Sequence, residues 1–316
     1  MAGGKGSRMI FSQAQRPQTA IDFANRVLVG SPMKSSEWND VPAELRARAF
    51  FSSQVEDLRF LQRGRDAITD FLASNRNENG TLKTGSRADF VKQMQDFLGA
   101  NGVERTTGDL QDIASESRLS LIFNVNTRQA EDYGYWKSGM NTDILNEFPA
   151  QRFIRVREVM EPRLSHEQFE NQVFLKTDPI WWRVINHDFG VPWGPWGWGC
   201  GHDVEDVDRD EAEELGLIEP RQLLTPDPRW DFNIGAQASA KFLDEDLIAK
   251  LLQVFGDKIQ YDSREKLLFW RLGQDGSSAS NQAKSKSVTP ERTSSSKASK
   301  TRGKQTEVHE VQPPTL

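Results

Sequence analysis

The stretch "RFIRVREVM", residues 152–160, marks the change of character on which the fold class turns. Apolar and charged residues alternate along it with a period of two, the pattern of a half-buried β-strand. Upstream the chain reads as helix. Residues 36–75 carry Phe51, Val55, Leu58, Leu61, Ile68, Phe71 and Leu72 at spacings near three and four. That predicts one long amphipathic helix, with Asp40 as its N-cap and Pro42 in its first turn. Ser86 and Asp89 form a capping pair ahead of Phe90, Met94, Phe97 and Leu98, and Gly99 stops the helix. A third helix is expected from about 109 to 136, burying Leu110, Ile113, Leu121, Ile122 and Val125. Downstream, "NQVFLK" (171–176) and "DVEDV" (203–207) read as short strands, the latter at a sheet edge. "DRDEAEELGLI" (208–218) reads as a short helix ending at Gly216, and residues 244–256 as a last amphipathic helix. The fold class is therefore α+β: a helical N-terminal region followed by a compact mixed domain with a small sheet.

The 316 residues are 36% hydrophobic, carry a formal net charge of −6 and include one cysteine. A single cysteine rules out an intrachain disulfide framework and fits a reducing compartment. The acidic balance argues against a globally basic nucleic-acid binder. No apolar run has the length of a membrane span, and the polar N-terminus has no apolar signal core. Residues 1–37, punctuated by Gly, Ser and Pro, are expected to be mobile. From 273 to 316 apolar residues nearly vanish while Ser, Lys and Thr dominate, which predicts a disordered basic tail.

Residues 190–202, "GVPWGPWGWGCGH", hold three tryptophans, five glycines, two prolines and the sole cysteine. Glycine and proline at that density exclude an ordinary helix or strand. Three indoles are too much apolar surface to leave in water. The stretch is expected to be an ordered loop whose rings pack as a local core.

No phosphate-binding loop, dinucleotide glycine fingerprint, His-Glu-x-x-His helix or nucleophile elbow is present. The remaining chemistry-bearing residues are His166, His187, Cys200 and His202. Cysteine and histidine are zinc ligands, but Cys-x-His is tighter than the usual two-residue spacing of structural zinc sites. The sequence therefore assigns no cofactor, and Cys200 with His202 are the residues that would carry a zinc ion. In a catalytic reading His166 would move protons while Arg155 or Arg163 holds an anion. In the other reading Cys200 is a small buried hydrophobe and the histidines serve hydrogen bonds.

The order of motifs resembles the phage Mu F-like head morphogenesis proteins, also called minor head or minor capsid proteins. "IFNVNTRQAEDYGYW" (122–136) resembles the Asn/Thr-containing helix of that family, and Arg163-Leu164-Ser165-His166 its Arg-Pro-x-His motif with leucine for proline. Asp178, Pro179 and Trp182, with Trp181 beside it, resemble an Asp-Pro-x-Trp element. Gly197, Trp198 and Cys200 resemble the end of a Pro-Pro-x-Gly-Trp-x-Cys-x-Cys loop, with His202 in place of the second cysteine. Asn171 stands where a glycine is usual. The resemblance implies a head morphogenesis domain over 109–272, behind a helical region at 38–108. It makes 190–202 a structural signature loop in which Trp196 and Trp198 cover the sheet from outside. It implies a minor head protein of a tailed phage or prophage, located in the virion head and in the host bacterial cytoplasm during assembly. It would take part in procapsid assembly near the portal and in DNA packaging. Portal and capsid proteins would be its partners, with DNA reached through the basic tail and no membrane involved. The rival reading is a virion-associated or toxin-like enzyme, a nuclease or an ADP-ribosyltransferase, working through His166.

Overall fold

A computed structural model describes residues 16–74, 85–159, 164–197, 200–232 and 237–271. The expected tail at 273–316, Arg163 and Trp198 lie outside the described residues. The architecture is α+β, built on three apolar clusters within one compact unit.

The first cluster is helical. Helix α1 (Arg16–Ala24) packs on α4 and α6 through Phe23. The expected helix over 36–75 is instead four elements, α2 (Ser35–Asn39), α3 (Ala43–Arg46), β2 (Ala49–Phe51) and α4 (Leu58–Ala73). Asp40 closes α2 and Pro42 precedes α3. The segment "AFF" leaves the helical path because β1 (Val27–Val29) pairs with it in parallel and Phe50 is buried there. Local propensity yields to that burial. Asp57 caps α4 by accepting from the Arg59 amide, and the buried face runs Phe60, Leu61, Gly64, Ile68, Leu72. Leu58, expected in the stripe, is exposed. Helix α5 (Arg87–Ala100) is capped by Ser86 as the sequence predicts.

Helix α6 (Glu116–Gly139) begins later than expected. The Asp112 carboxylate accepts from the amides of Thr106, Thr107, Gly108 and Ala114, which ties 106–114 into a turn. Its buried positions are Leu119, Phe123, Thr127, Ala130, Tyr133 and Trp136 rather than Leu121, Ile122 and Val125. The helix is about 36 Å long, and it serves two cores: Leu119 and Phe123 belong to the first, Tyr133 and Trp136 to the second.

The second cluster covers a three-stranded antiparallel sheet, ordered β4 (Val173–Leu175), β3 (Ala150–Arg155), β5 (His202–Val207). The short helices α7 (Thr142–Glu147), α8 (Leu164–Glu167) and α9 (Arg209–Glu214) connect and flank it. Strand β5 is at an edge, as its sequence predicts. Asn171, on the way into β4, has φ of +64°. That is the left-handed region where glycine is the default and asparagine the best-tolerated substitute, so the turn keeps its shape without glycine.

The third cluster joins the two ends of the described chain. Strands β6 (Gln237–Ser239), β8 (Leu267–Trp270) and β7 (Ile259–Asp262) form an antiparallel sheet in that order. Helix α10 (Glu245–Phe255), capped by Asp244, packs Ile248, Leu251 and Phe255 against Val29, Met33, Val41 and Leu45. Residues 16–37, expected to be mobile, therefore form defined elements. Phe23, Val29 and Met33 are buried anchors within an otherwise polar segment.

Lys176 and Asp206 make a buried ion pair at 2.8 Å beneath the β-sheet, and Gln151 donates to Asp206 at 3.2 Å. Burial pushes the Lys176 ammonium below its ordinary pKa, and Asp206 opposes that shift. Removing one member leaves a desolvated charge, so Asp206→Ala should cost about 3–5 kcal/mol. Replacing both, Asp206→Leu with Lys176→Met, should recover much of the loss. Urea unfolding of the three proteins checks this, and a loss under about 1 kcal/mol for the single variant contradicts it.

Candidate functional site

Phe153, in the middle of β3, is fully buried and faces the junction of α8, the Trp/Gly loop and β5. The His202 ring stacks on it at 4.7 Å with 9° between planes. His166 and Trp196 meet its ring edge-on, both at 5.7 Å. Strand pairing places these groups: Phe153 lies opposite Val204, and Arg155 opposite His202.

Among the described residues of the Trp/Gly loop, Trp193 and Trp196 are buried, as expected of its indoles, but the position of the rings differs. Trp196 is 2% exposed and sits between Phe153 and Trp181, inside the core rather than outside the sheet. Trp193 packs on Tyr133, Trp136 and Trp230. Gly197 has φ of +132°, a conformation that a side chain would strain. Gly201 lies so close to the Arg157 carbonyl that a Cβ would collide with it. The buried Asn186 side chain donates to the carbonyls of Val191 and Trp193, pinning the start of the loop. Asp178 accepts from the Ile180 amide and opens a π-helical turn, Trp181–Ile185, with Pro179 in its approach. Of its two indoles, Trp181 is the central one. It is fully buried and donates from Nε1 to the Leu175 carbonyl. Trp182 lies further out, edge-on to Trp230 and beneath the Arg229 guanidinium.

The structure brings together three of the four residues singled out for chemistry. His166 Nδ1 is 3.3 Å from Cys200 Sγ, and His202 Nδ1 is 3.2 Å from the same sulfur. All three residues are buried. His166 Nε2 donates to the Ile185 carbonyl at 2.9 Å, and His202 Nε2 to Glu170 at 2.8 Å. The hydrogen bond from His202, followed by that from Arg155, holds the Glu170 carboxyl below its usual range. His187 does not join the cluster. Its ring is mostly exposed and pairs with Asp188.

Arg155 pairs with Glu167 and Glu170 instead of facing an open anion site. Both ring nitrogens of His166 are engaged within the core, where its exposure is 1%. Sequence reasoning missed Glu170, Asn186 and Trp230. Nothing local distinguishes a surface-type glutamate or an asparagine before His187 from ordinary turn residues. Trp230 stands in a proline-punctuated stretch whose local sequence does not declare that its indole is buried.

The chain is similar to "Putative capsid assembly protein F" of Escherichia phage Mu, at 24% identity over 258 residues. The match covers 69% of this chain and 54% of that protein, so the chain spans about half the length of this relative. No protein-family model matches the chain, and no solved structure does. Among the described residues no helix is long and apolar enough to cross a membrane.

Trp196→Ala should destabilise the protein by about 3–5 kcal/mol, as for other buried large-to-small changes. Thermal and urea melts measure it. A cost below about 1 kcal/mol would mean that the ring does not hold the loop on the sheet.

Proposed function

We propose that this chain is a head-assembly component of a tailed phage or prophage, working through protein–protein contacts rather than catalysis. The similarity to the Mu capsid assembly protein carries this reading. Engagement of both His166 nitrogens inside the core and the pairing of Arg155 with two glutamates support a scaffold over a proton-transfer site.

A cleft of about 650 Å³ supplies a docking place. It lies between α6 and the segment from α2 to β2, away from the His–Cys–His cluster. One wall is the apolar stripe Leu121, Ile122 and Val125, which the helical periodicity marks as a buried face but the structure turns into this groove. Trp38 and Phe51 form the opposite side, with Arg26, Arg46 and Arg118 around them. Burial lowers the Arg26 guanidinium to about 10, and lowers Arg46 and Arg118 as well. Desolvated guanidinium groups beside apolar walls suit an acidic amphipathic segment laid in the groove. A portal or capsid protein presenting such a segment is the partner we propose. The basic residues of 273–316 offer a salt-sensitive contact to packaged DNA.

In the phage that encodes the chain, deleting its gene should abolish filled heads, and the wild-type gene should restore them. Leu121 is a partly exposed groove residue. Leu121→Glu should therefore cost no more than about 0.5 kcal/mol of stability. It should nevertheless reduce both incorporation into heads and complementation. Normal yields of filled, infectious heads without the gene would overturn the head-assembly role. Normal incorporation of Leu121→Glu would overturn the groove as the docking place.

A further inference from the structure

We propose that His166, Cys200 and His202 form a zinc(II) site that staples the loop and sheet of the second core. This goes beyond the head-assembly reading and does not depend on it. Three electron-pair donors converge on one buried point: Nδ1 of His166, Sγ of Cys200 and Nδ1 of His202, all within 4.8 Å of one another. Tetrahedral zinc, with Zn–S near 2.3 Å and Zn–N near 2.0–2.1 Å, sets sulfur and nitrogen about 3.5 Å apart. The two Sγ–Nδ1 distances of 3.3 and 3.2 Å are close to that. Binding then requires the two imidazoles to draw toward each other around the sulfur.

The outer contacts fix which nitrogen points inward. The Ile185 carbonyl can only accept, so the Nε2 of His166 carries the hydrogen and its Nδ1 presents a lone pair. Glu170 plays the same part for His202, and Arg155 holds Glu170 in turn at 2.6 Å. A backbone carbonyl on one histidine and a carboxylate on the other are the usual outer partners of metal-bound imidazoles. A thiol hydrogen serves one nitrogen at a time, whereas a metal ion accepts all three electron pairs together. Nitrogen and thiolate donors select zinc over the oxygen-seeking calcium and magnesium ions.

The tight Cys-x-His spacing is explained by the strand. Cys200 stands two residues before His202, the first residue of β5, with Gly201 between them, and this spacing lets both side chains turn to the same side, where Sγ and Nδ1 lie 3.2 Å apart. A three-residue set leaves a tetrahedral ion one further position, for water or another ligand. The site would join α8 to the end of the Trp/Gly loop and the start of β5, 34 residues further along the chain.

The test uses the untagged full-length chain purified without chelator. Elemental analysis should find about one zinc per chain. Adding a chelator should lower the melting temperature, and returning zinc should restore it. Cobalt(II) in place of zinc should give a thiolate-to-metal charge-transfer band, which Cys200 alone can supply as the only cysteine. Cys200→Ser should lose that band. Glu170→Gln keeps all three ligands and should weaken zinc affinity about 10–100-fold at unchanged circular dichroism. Folded wild-type chain that holds only trace zinc after incubation with it, or cobalt protein without the band, overturns the proposal. Unchanged zinc affinity in folded Cys200→Ser overturns it too, as does stoichiometric iron or copper in place of zinc.

Discussion

The ring of Phe153 is the constraint on which the second core depends. His202 stacks on it, His166 and Trp196 meet it at near right angles and Trp181 packs beside it at a tilt, and these four rings come from four different segments. An aromatic ring at this place presents flat faces for stacking and a positive edge for perpendicular contacts. The β3–β5 register then sets the height of His202 over the ring, and the loop must return across the sheet to bring Trp196 to its edge. The left-handed backbone at Gly197 and the close approach at Gly201 follow from that return path.

Polar groups in the same core are arranged so that buried charge is paired. Lys176 meets Asp206, Arg128 bridges Asp132 of its own helix to Asp203 of β5, and Arg152 reaches Glu205 and Glu211. These pairs tie α6, β4 and α9 to the central strands. They contribute less to net stability than to alignment, because ion pairs recover little beyond their own desolvation. Helix α6 passes this alignment on to the helical core, since one rod supplies side chains to both.

The groove is a consequence of how the ends of the described part of the chain meet. Val29, Met33 and Leu45 are held against α10 in the third core, while α6 is held by the first two. The segment between α2 and β2 is thereby set opposite the apolar stripe of α6 without closing on it. A periodic apolar face on a helix is normally buried by its own chain. Here Leu121 and Val125 line open space instead, and that is what makes the face available to a partner.

Features that depend on neighbouring residues alone were legible in the sequence. The Ser86 cap, a helix starting near Asp244, the helix stop at Gly216 and buried indoles in the Trp/Gly loop follow from local hydrogen bonding and periodicity, whereas the strand expected over 152–160 occupies 150–155. The break of 36–75 into four elements was not, because the parallel β1–β2 pair that interrupts it depends on a strand some twenty residues earlier. The C-terminal sheet of β6, β7 and β8 was missed for a related reason. Its strands are only three or four residues long, too short for a period to declare itself. At the site, composition pointed to His166, Cys200 and His202 and also to His187. Only the fold could separate them, by burying three around one sulfur and turning the fourth toward water. Glu170 and the Ile185 carbonyl acquire their roles solely from tertiary placement, since a hydrogen-bond partner distant in the chain leaves no trace in local sequence.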